Sequence, residues 1–249
     1  NLFTYIKLKL YRRFQKRFVP HRTTILNFTV SYNDPRSLFS EYKLIFRDKI
    51  YHFKSETNSP LIIDGGGHIG LATLYFKKLY PDSEIIIFEP DKETLPILKK
   101  NLQINDIKNV KIHEVGLSNK EGTVKFQNTG TDSAKLGLEG NGVINVGKLS
   151  NYIDKPVDFM KLNIEGEELS VLKDLEETNK LGLIKQLCVE WHSFAGQEQD
   201  LGEFLSILER NKFRYLINHF DYRVNPRLKP PFQLSDKTQY YLLVYATKI

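Results

Sequence analysis

The stretch "LIIDGGGHIG", residues 61–70, sets four glycines behind a short apolar run and can be parsed in two ways. Gly65, Gly67 and Gly70 form G-x-G-x-x-G, the phosphate-binding turn of dinucleotide folds. Asp64, Gly66 and Gly70 form an acidic D-x-G-x-x-x-G turn of the kind used to hold S-adenosylmethionine. Both parsings require a strand, a glycine turn and a helix N-terminus, so charge separates them. A pyrophosphate seeks backbone N–H groups and a helix dipole, and a carboxylate in the same turn repels it. S-adenosylmethionine carries a sulfonium and an ammonium against one carboxylate, so Asp64 at the tip of the strand favours it. Gly66 lets the backbone approach the cofactor, and Gly70 lets the following helix pack close on the strand.

Outward from this turn the chain alternates between strand and helix patterns. "LIID" (61–64) and "EIIIFEP" (84–90) are apolar runs that suit buried parallel strands, and "NVKIHEVGL" (109–117) is a third. Helical spacing fills 70–80 and 92–105, with Asp91 as the expected N-cap of the second helix. Residues 121–157 are expected as hairpin and loop. The rhythm returns with a strand at 158–164, a helix near 167–179, a strand at 184–191 and a helix at 201–213. Strands at 213–220 and 240–247 close the chain, and the short connection between them favours antiparallel pairing. Residues 37–53 are expected as helix followed by an edge strand.

Ligands of such sheets sit beyond the carboxyl ends of the strands. The candidates collected there are Asp64, Gly65, Gly66, Gly67, His68, Gly70, Glu89, Leu117, Ser118, Asn163, Glu165 and His192. Glu89 ends the second strand 19 residues after Gly70, placed to accept hydrogen bonds from ribose hydroxyls in either cofactor class.

Four blocks in order, "IIDGGGHIG", "IFEPDKETLPILKKNLQIN", "NVKIHEVGLSNKEGTVKF" and "DFMKLNIEGEELSVLKDL", resemble the FkbM-type S-adenosylmethionine-dependent O-methyltransferases. The resemblance covers residues 60 to about 176 well, and continues more loosely through "CVEWH" to the terminal strands. It implies an α/β, Rossmann-like class I methyltransferase fold. The sheet would have seven mostly parallel strands in the order 3-2-1-4-5-7-6, with helices on both faces. It also implies methyl transfer to a hydroxyl of a sugar, lipid-linked glycan or natural product. Two positions depart from the family pattern: His68 stands where Asn is usual, and Asn163 where K-x-D-x-E-G has Asp. Asn cannot be a base and is a poor ligand for a hard metal by itself, so no metal site is expected.

Transfer to a hydroxyl releases a proton, so a nearby base is expected. His192 has a suitable ordinary pKa and follows the fifth strand, although a histidine hydrogen-bonded in a loop fits the same pattern. Glu165 is a second candidate base, or a cap of the helix after it. Asn163 completes the catalytic set. Glu190 is expected to be structural and His113 to be packing. His219 and Asp221 are weaker candidates near the sheet edge. Thr131, Asp132 and Ser133 in one loop, and Arg223 and Arg227 in another, are rim residues. A NAD-linked oxidoreductase and a non-catalytic cofactor-binding module stay open as alternatives.

Charge divides the chain into a basic leader (1–36) and a single domain (37–249). Residues 1–22 hold seven basic residues and no acid, leaving 29 basic against 30 acidic residues elsewhere. That near-neutral body argues against a nucleic-acid groove. In the leader Phe3, Ile6, Leu10, Phe14 and Phe18 recur at helical spacing. The plainer expectation packs this stripe on the domain, and the other lays it on an anionic membrane surface. Pro20 is expected to end the helix. One cysteine, Cys188, permits no intrachain disulfide and fits a reducing, cytoplasmic setting, including the inner membrane surface.

Overall fold

The computed structural model describes residues 2–127, 135–136, 142–219, 235 and 238–249. The chain opens with α1 (Leu2–Phe14), a hairpin of β1 (His21–Ile25) and β2 (Phe28–Tyr32), and α2 (Pro35–Glu41), which runs into a π-helical turn at Tyr42–Arg47. Then come β3 (Leu61–Gly65), α3 (Leu71–Leu79), β4 (Glu84–Phe88), α4 (Leu95–Ile104), β5 (Val110–His113), β6 (Gly116–Ser118), β7 (Gly122–Gln127), β8 (Lys135–Leu136) and β9 (Gly142–Lys148). The remainder is β10 (Phe159–Leu162), α5 (Glu168–Glu177), β11 (Gln186–Ser193), α6 (Leu201–Arg210), β12 (Phe213–His219) and β13 (Tyr240–Lys248).

Seven strands form the main sheet in the order β5-β4-β3-β10-β11-β13-β12. The first five are parallel, and β13 runs antiparallel to both β11 and β12. Every residue of β3 and β10 is buried, as helix-covered central strands require. Successive side chains feed opposite faces: Ile62 and Phe159 enter the core beneath α3 and α4, while Ile63 and Met160 enter the core that holds Leu172, Trp191 and Phe204. Cys188 is buried in the first of these, its Sγ directed at Ile50 O 3.6 Å away.

Four expectations change. The strand at 109–117 is two strands: β5 ends at His113, and β6 enters a separate four-stranded sheet of order β6-β9-β7-β8. Gly116 permits this departure, since a Cβ there would lie 3.2 Å from Ile144 Cδ1 on β9. No strand forms between residues 48 and 60. The π-helical turn takes its place, closing with Asp48 N donating to Lys43 O at 2.8 Å. Asp91 caps the turn before α4 rather than the helix itself, accepting from Glu93 N and Thr94 Oγ1 at 2.9 and 2.8 Å. The leader helix stops at Phe14, well before Pro20.

The boundary at residue 36 does not separate two cores. Leu8 of α1 and Ile25, Val30 and Tyr32 of the hairpin are buried with Leu74 and Phe76 of α3. Asn101 of α4 binds the hairpin at both ends of one residue: Ser31 N donates to its Oδ1 at 2.7 Å, and its Nδ2 donates to Ser31 O at 3.0 Å. The same Nδ2 donates to Ile69 O at 2.8 Å, so the hairpin is tied to the glycine turn.

Candidate active site

The turn after β3 is held mostly by the protein itself. Gly66 N and Gly67 N both donate to Phe88 O, at 2.9 and 3.1 Å, folding the turn back over β4. Gly66 has φ +82°, and a Cβ there would fall 1.9 Å from Asn163 O. A close approach that requires glycine at 66 is therefore made by the chain beyond β10. Gly67 is confined by Ile87, and Gly70 (φ +90°) by Leu98 of α4 rather than by the strand. Gly65 sits against Leu162 and Leu117, which gives Leu117 a packing place on the floor of the site.

Asp64 is fully buried. Its Oδ2 accepts from Thr73 Oγ1 at 2.8 Å and its Oδ1 lies 3.1 Å from Lys161 Nζ. Lys161 faces Asp64 across the parallel β3–β10 pair, is itself buried, and donates to Gly65 O and Gly66 O at 3.0 and 2.6 Å. The premise that Asp64 presents an uncompensated carboxylate to a cationic ligand is thus corrected. Its charge is met inside the protein, because a carboxylate at a dry strand end is stable only when paired and hydrogen-bonded. Lys161 was missed because a lysine inside an apolar strand reads as a solvated edge.

Glu89 is buried at the tip of β4, and burial, the first influence on it, raises its pKa. One oxygen accepts from His68 N at 2.7 Å and the other from Asp91 N at 2.9 Å. Each oxygen keeps a second lone pair for a ligand hydroxyl. His68 adopts φ +46°, and its Nδ1 is 2.6 Å from Glu41 Oε1 at the end of α2. Ser118 is buried and its Oγ donates to Glu167 Oε2 at 2.8 Å.

Beyond β10 the chain turns sharply through Glu165 (φ +58°) and Gly166 (φ +107°). The left-handed conformation at a glutamate is uncommon and marks a position fixed by its surroundings. Here it aims the side chain at β11, where Glu165 Oε1 lies 3.6 Å from His192 Nε2. On its other side His192 Nδ1 donates to Glu168 Oε1 at 3.0 Å. Glu168 in turn accepts from Ile164 N and Gly166 N at 3.2 and 3.0 Å, holding the turn. Burial of His192 favours its neutral form, but Glu165, Glu168 and more distantly Glu190 outweigh it and raise its pKa to about 9. At neutral pH it is an imidazolium between two carboxylates, not the ready base expected from an ordinary histidine. Glu168 is the member that sequence reasoning missed, because an acid in a helix's first turn has an ordinary explanation.

Asn163 N donates to Gly65 O at 3.1 Å, and its Oδ1 is buried with no hydrogen-bond partner among the described residues. A buried acceptor left without a donor costs free energy, and a ligand that brings one relieves it. Asn163, the glycine turn and Glu89 therefore fit a cofactor carrying an ammonium or hydroxyl groups.

Other candidates separate from this cluster. Glu190 accepts from buried Tyr51 Oη and is structural. His113 stacks on Phe88 with ring centroids 5.2 Å apart and is packing. His219 lies in β12 at the sheet edge. Thr131, Asp132, Ser133, Asp221, Arg223 and Arg227 lie outside the described residues.

The family model described as "Methyltransferase FkbM domain" matches residues 64–215, which begins at Asp64 and takes in the glycine turn, Glu89, Asn163, Glu165 and His192. The chain belongs to the FkbM methyltransferase family. The NAD-linked oxidoreductase reading of the glycines falls with that match. A curated relative, "Methyltransferase 1" of Beauveria bassiana, is 28% identical over 227 residues, covering 79% of this FkbM chain and 90% of its own. The crystal structure of an FkbM methyltransferase from Methylobacillus flagellatus aligns with TM-score 0.54 at 18% identity, over 80% of this chain; this chain spans only 46% of that one. The structure of M. jannaschii TYW2 in complex with AdoMet aligns with TM-score 0.52 at 11% identity, over 95% and 89% of the two chains. At such identities the structural likeness speaks for the fold.

Proposed function

We propose that this methyltransferase moves a methyl group from S-adenosylmethionine to a hydroxyl of a sugar, glycolipid or natural-product acceptor, and that Glu165 receives the acceptor's proton. The observation that carries the reading is the cluster Glu165–His192–Glu168 beside the glycine turn, at the carboxyl ends of β10 and β11. The AdoMet found in a structure of like fold supports the choice of donor.

When bound, S-adenosylmethionine supplies an electrophilic methyl carbon on a sulfonium. Asn163 Oδ1 and the carboxylate of Glu89 are the groups assigned to hold it, with Gly65, Gly66, Gly67, His68 and Gly70 forming the turn against it and Leu117 and Ser118 the floor. With it bound, an acceptor hydroxyl held beside Glu165 would take the methyl group and give up its proton, the sulfonium leaving as a neutral thioether. The hydroxyl proton passes to the cluster, where two carboxylates share one imidazolium and the net charge of −1 leaves room for it. His192 orients Glu165 and keeps its charge from being repelled by Glu168. In-line displacement depends chiefly on positioning, and the strained Glu165 backbone supplies a fixed placement.

Calorimetric titration with S-adenosylhomocysteine, followed by turnover assays on a panel of glycans and glycolipids, tests this. Micromolar product binding is expected in the natural protein and in Glu165→Gln. The substitution should lower kcat by about 10²- to 10⁴-fold, the usual contribution of a positioned base. Absence of product binding, or an unchanged kcat in Glu165→Gln, would overturn the assignment.

A further inference from the structure

The apolar stripe of α1 faces away from the protein. Its inward side carries Thr4 and Leu8, both buried, with Tyr5 set 5.4 Å from the Phe39 ring and Tyr11 packed on the core. On the outward side Leu2 is 73% exposed, Phe3 72%, Ile6 48%, Leu10 51% and Phe14 72%, and beyond the helix Phe18 is 56% exposed. Six of the twelve exposed large apolar side chains among the described residues thus fall within one segment of 17 residues. The expectation that this stripe packs on the domain is overturned, because Leu8 and the two tyrosines occupy the inner face instead.

We propose that the outward face of α1 docks on an anionic membrane surface. An interfacial helix needs an apolar face flanked by basic residues. Lys9 and Arg13, one turn apart, lie along one edge of the stripe, whereas Lys7, toward the other edge, turns its Nζ back to Thr24 O at 2.7 Å. The Arg13 guanidinium lies 5.5 Å from the Phe14 ring, so charge and apolar surface are contiguous. Residues 1–22 contain seven bases and no acid; Arg17 is paired with Asp34 and Lys7 with Thr24 O, and the surplus of positive charge suits anionic headgroups. A second copy of this face would set those same charges against one another. Nucleic acid would leave the leucine and phenylalanine side chains in water. Among the described residues no helix is long and apolar enough to cross a membrane.

Phe18, four residues beyond the end of α1, lines a cavity of about 170 Å³ together with His68, Ile69, Asp91 and Thr94. The membrane contact stands on α1 itself and is independent of the acceptor class proposed above.

Sedimentation of the full chain with vesicles of phosphatidylcholine, and of phosphatidylcholine with phosphatidylserine, tests the docking. Binding is expected only with the anionic vesicles, weakening as salt is raised. Leu10→Gln/Phe14→Gln should lower partitioning at least about tenfold, and Lys9→Gln/Arg13→Gln similarly, since each basic contact contributes about 1 kcal/mol. Equal binding to both vesicle types, no binding to either, or no effect of either variant would overturn the proposal. So would light scattering that shows a dimer dissolved by Leu10→Gln/Phe14→Gln, which would give the face to a second copy. Titration with S-adenosylhomocysteine on the same preparations reads the functional proposal separately, since neither variant touches the glycine turn.

Discussion

His192 joins geometry and charge at the scale of one residue. Its folded pKa, raised to about 9, lies above the ordinary value of 6.5. The sign follows by linkage: the folded state holds this proton more tightly than the unfolded chain, so the stabilisation is fully present below about pH 6.5. It is lost as pH climbs through about 9, when the imidazolium that separates Glu165 from Glu168 gives up its charge. Melting temperatures measured from pH 6 to 10 should therefore fall more steeply for the natural protein than for His192→Gln, which has no proton to lose; parallel curves would show that the cluster does not hold that charge. The ion pair of Asp64 with Lys161 makes a related point about reading charge from sequence. Asp64 was visible as the acid that opens the turn, but its partner was not, because the two are 97 positions apart and meet only across paired strands.

Among the elements, the central strands were legible because a strand buried on both faces must be a continuous apolar run, as "LIID" and "EIIIF" are. The terminal strands were legible from their aromatic and β-branched runs and the short connection between them, although β12 is an edge strand with Leu216 and Ile217 exposed. The hairpin β1–β2 was not, since "HRTTI" and "FTVSY" mix polar and apolar residues and their burial depends on Asn101, far along the chain. The split between β5 and β6 was hidden because both halves are apolar and only the partner sheet distinguishes them. The glycine turn was recognised correctly, but which contact makes each glycine necessary is a tertiary fact. Two positions separate conformation from crowding. Gly66 and Gly122 both have positive φ, yet a Cβ at Gly66 collides with Asn163 O while nothing lies within 4 Å of one at Gly122. Gly122→Ala should cost only the backbone strain, about 1–2 kcal/mol, whereas Gly66→Ala should also abolish binding of S-adenosylhomocysteine. Denaturant unfolding and titration of the two variants would check this, and retained binding in Gly66→Ala would contradict the crowding described.

Over the whole molecule, the unequal distribution of charge and the unequal faces of α1 describe one segment with two roles. Its inner side belongs to the same core as α3, and its outer side carries the basic, apolar surface. Leu8→Ala should destabilise the entire domain by about 2–5 kcal/mol, as removal of a buried leucine does. Leu10→Gln, two positions along, should change stability by no more than about 0.5 kcal/mol. Chemical denaturation distinguishes these outcomes, and equal effects would mean that both faces are packed. The sequence displayed the stripe and the lysines but not the direction in which they point, because Leu8, Tyr5 and Tyr11 make an almost equally good second stripe.

Cys188 has a consequence of another kind. It is the only cysteine in the chain, lies wholly inside the sheet, and burial pushes its thiol well above the usual range, so little thiolate forms at neutral pH. Alkylating and oxidising reagents should therefore leave the native protein unmarked. A cysteine introduced on the outer face of α1 would then be the single reactive sulfur, able to carry a spin label or fluorophore without any background substitution.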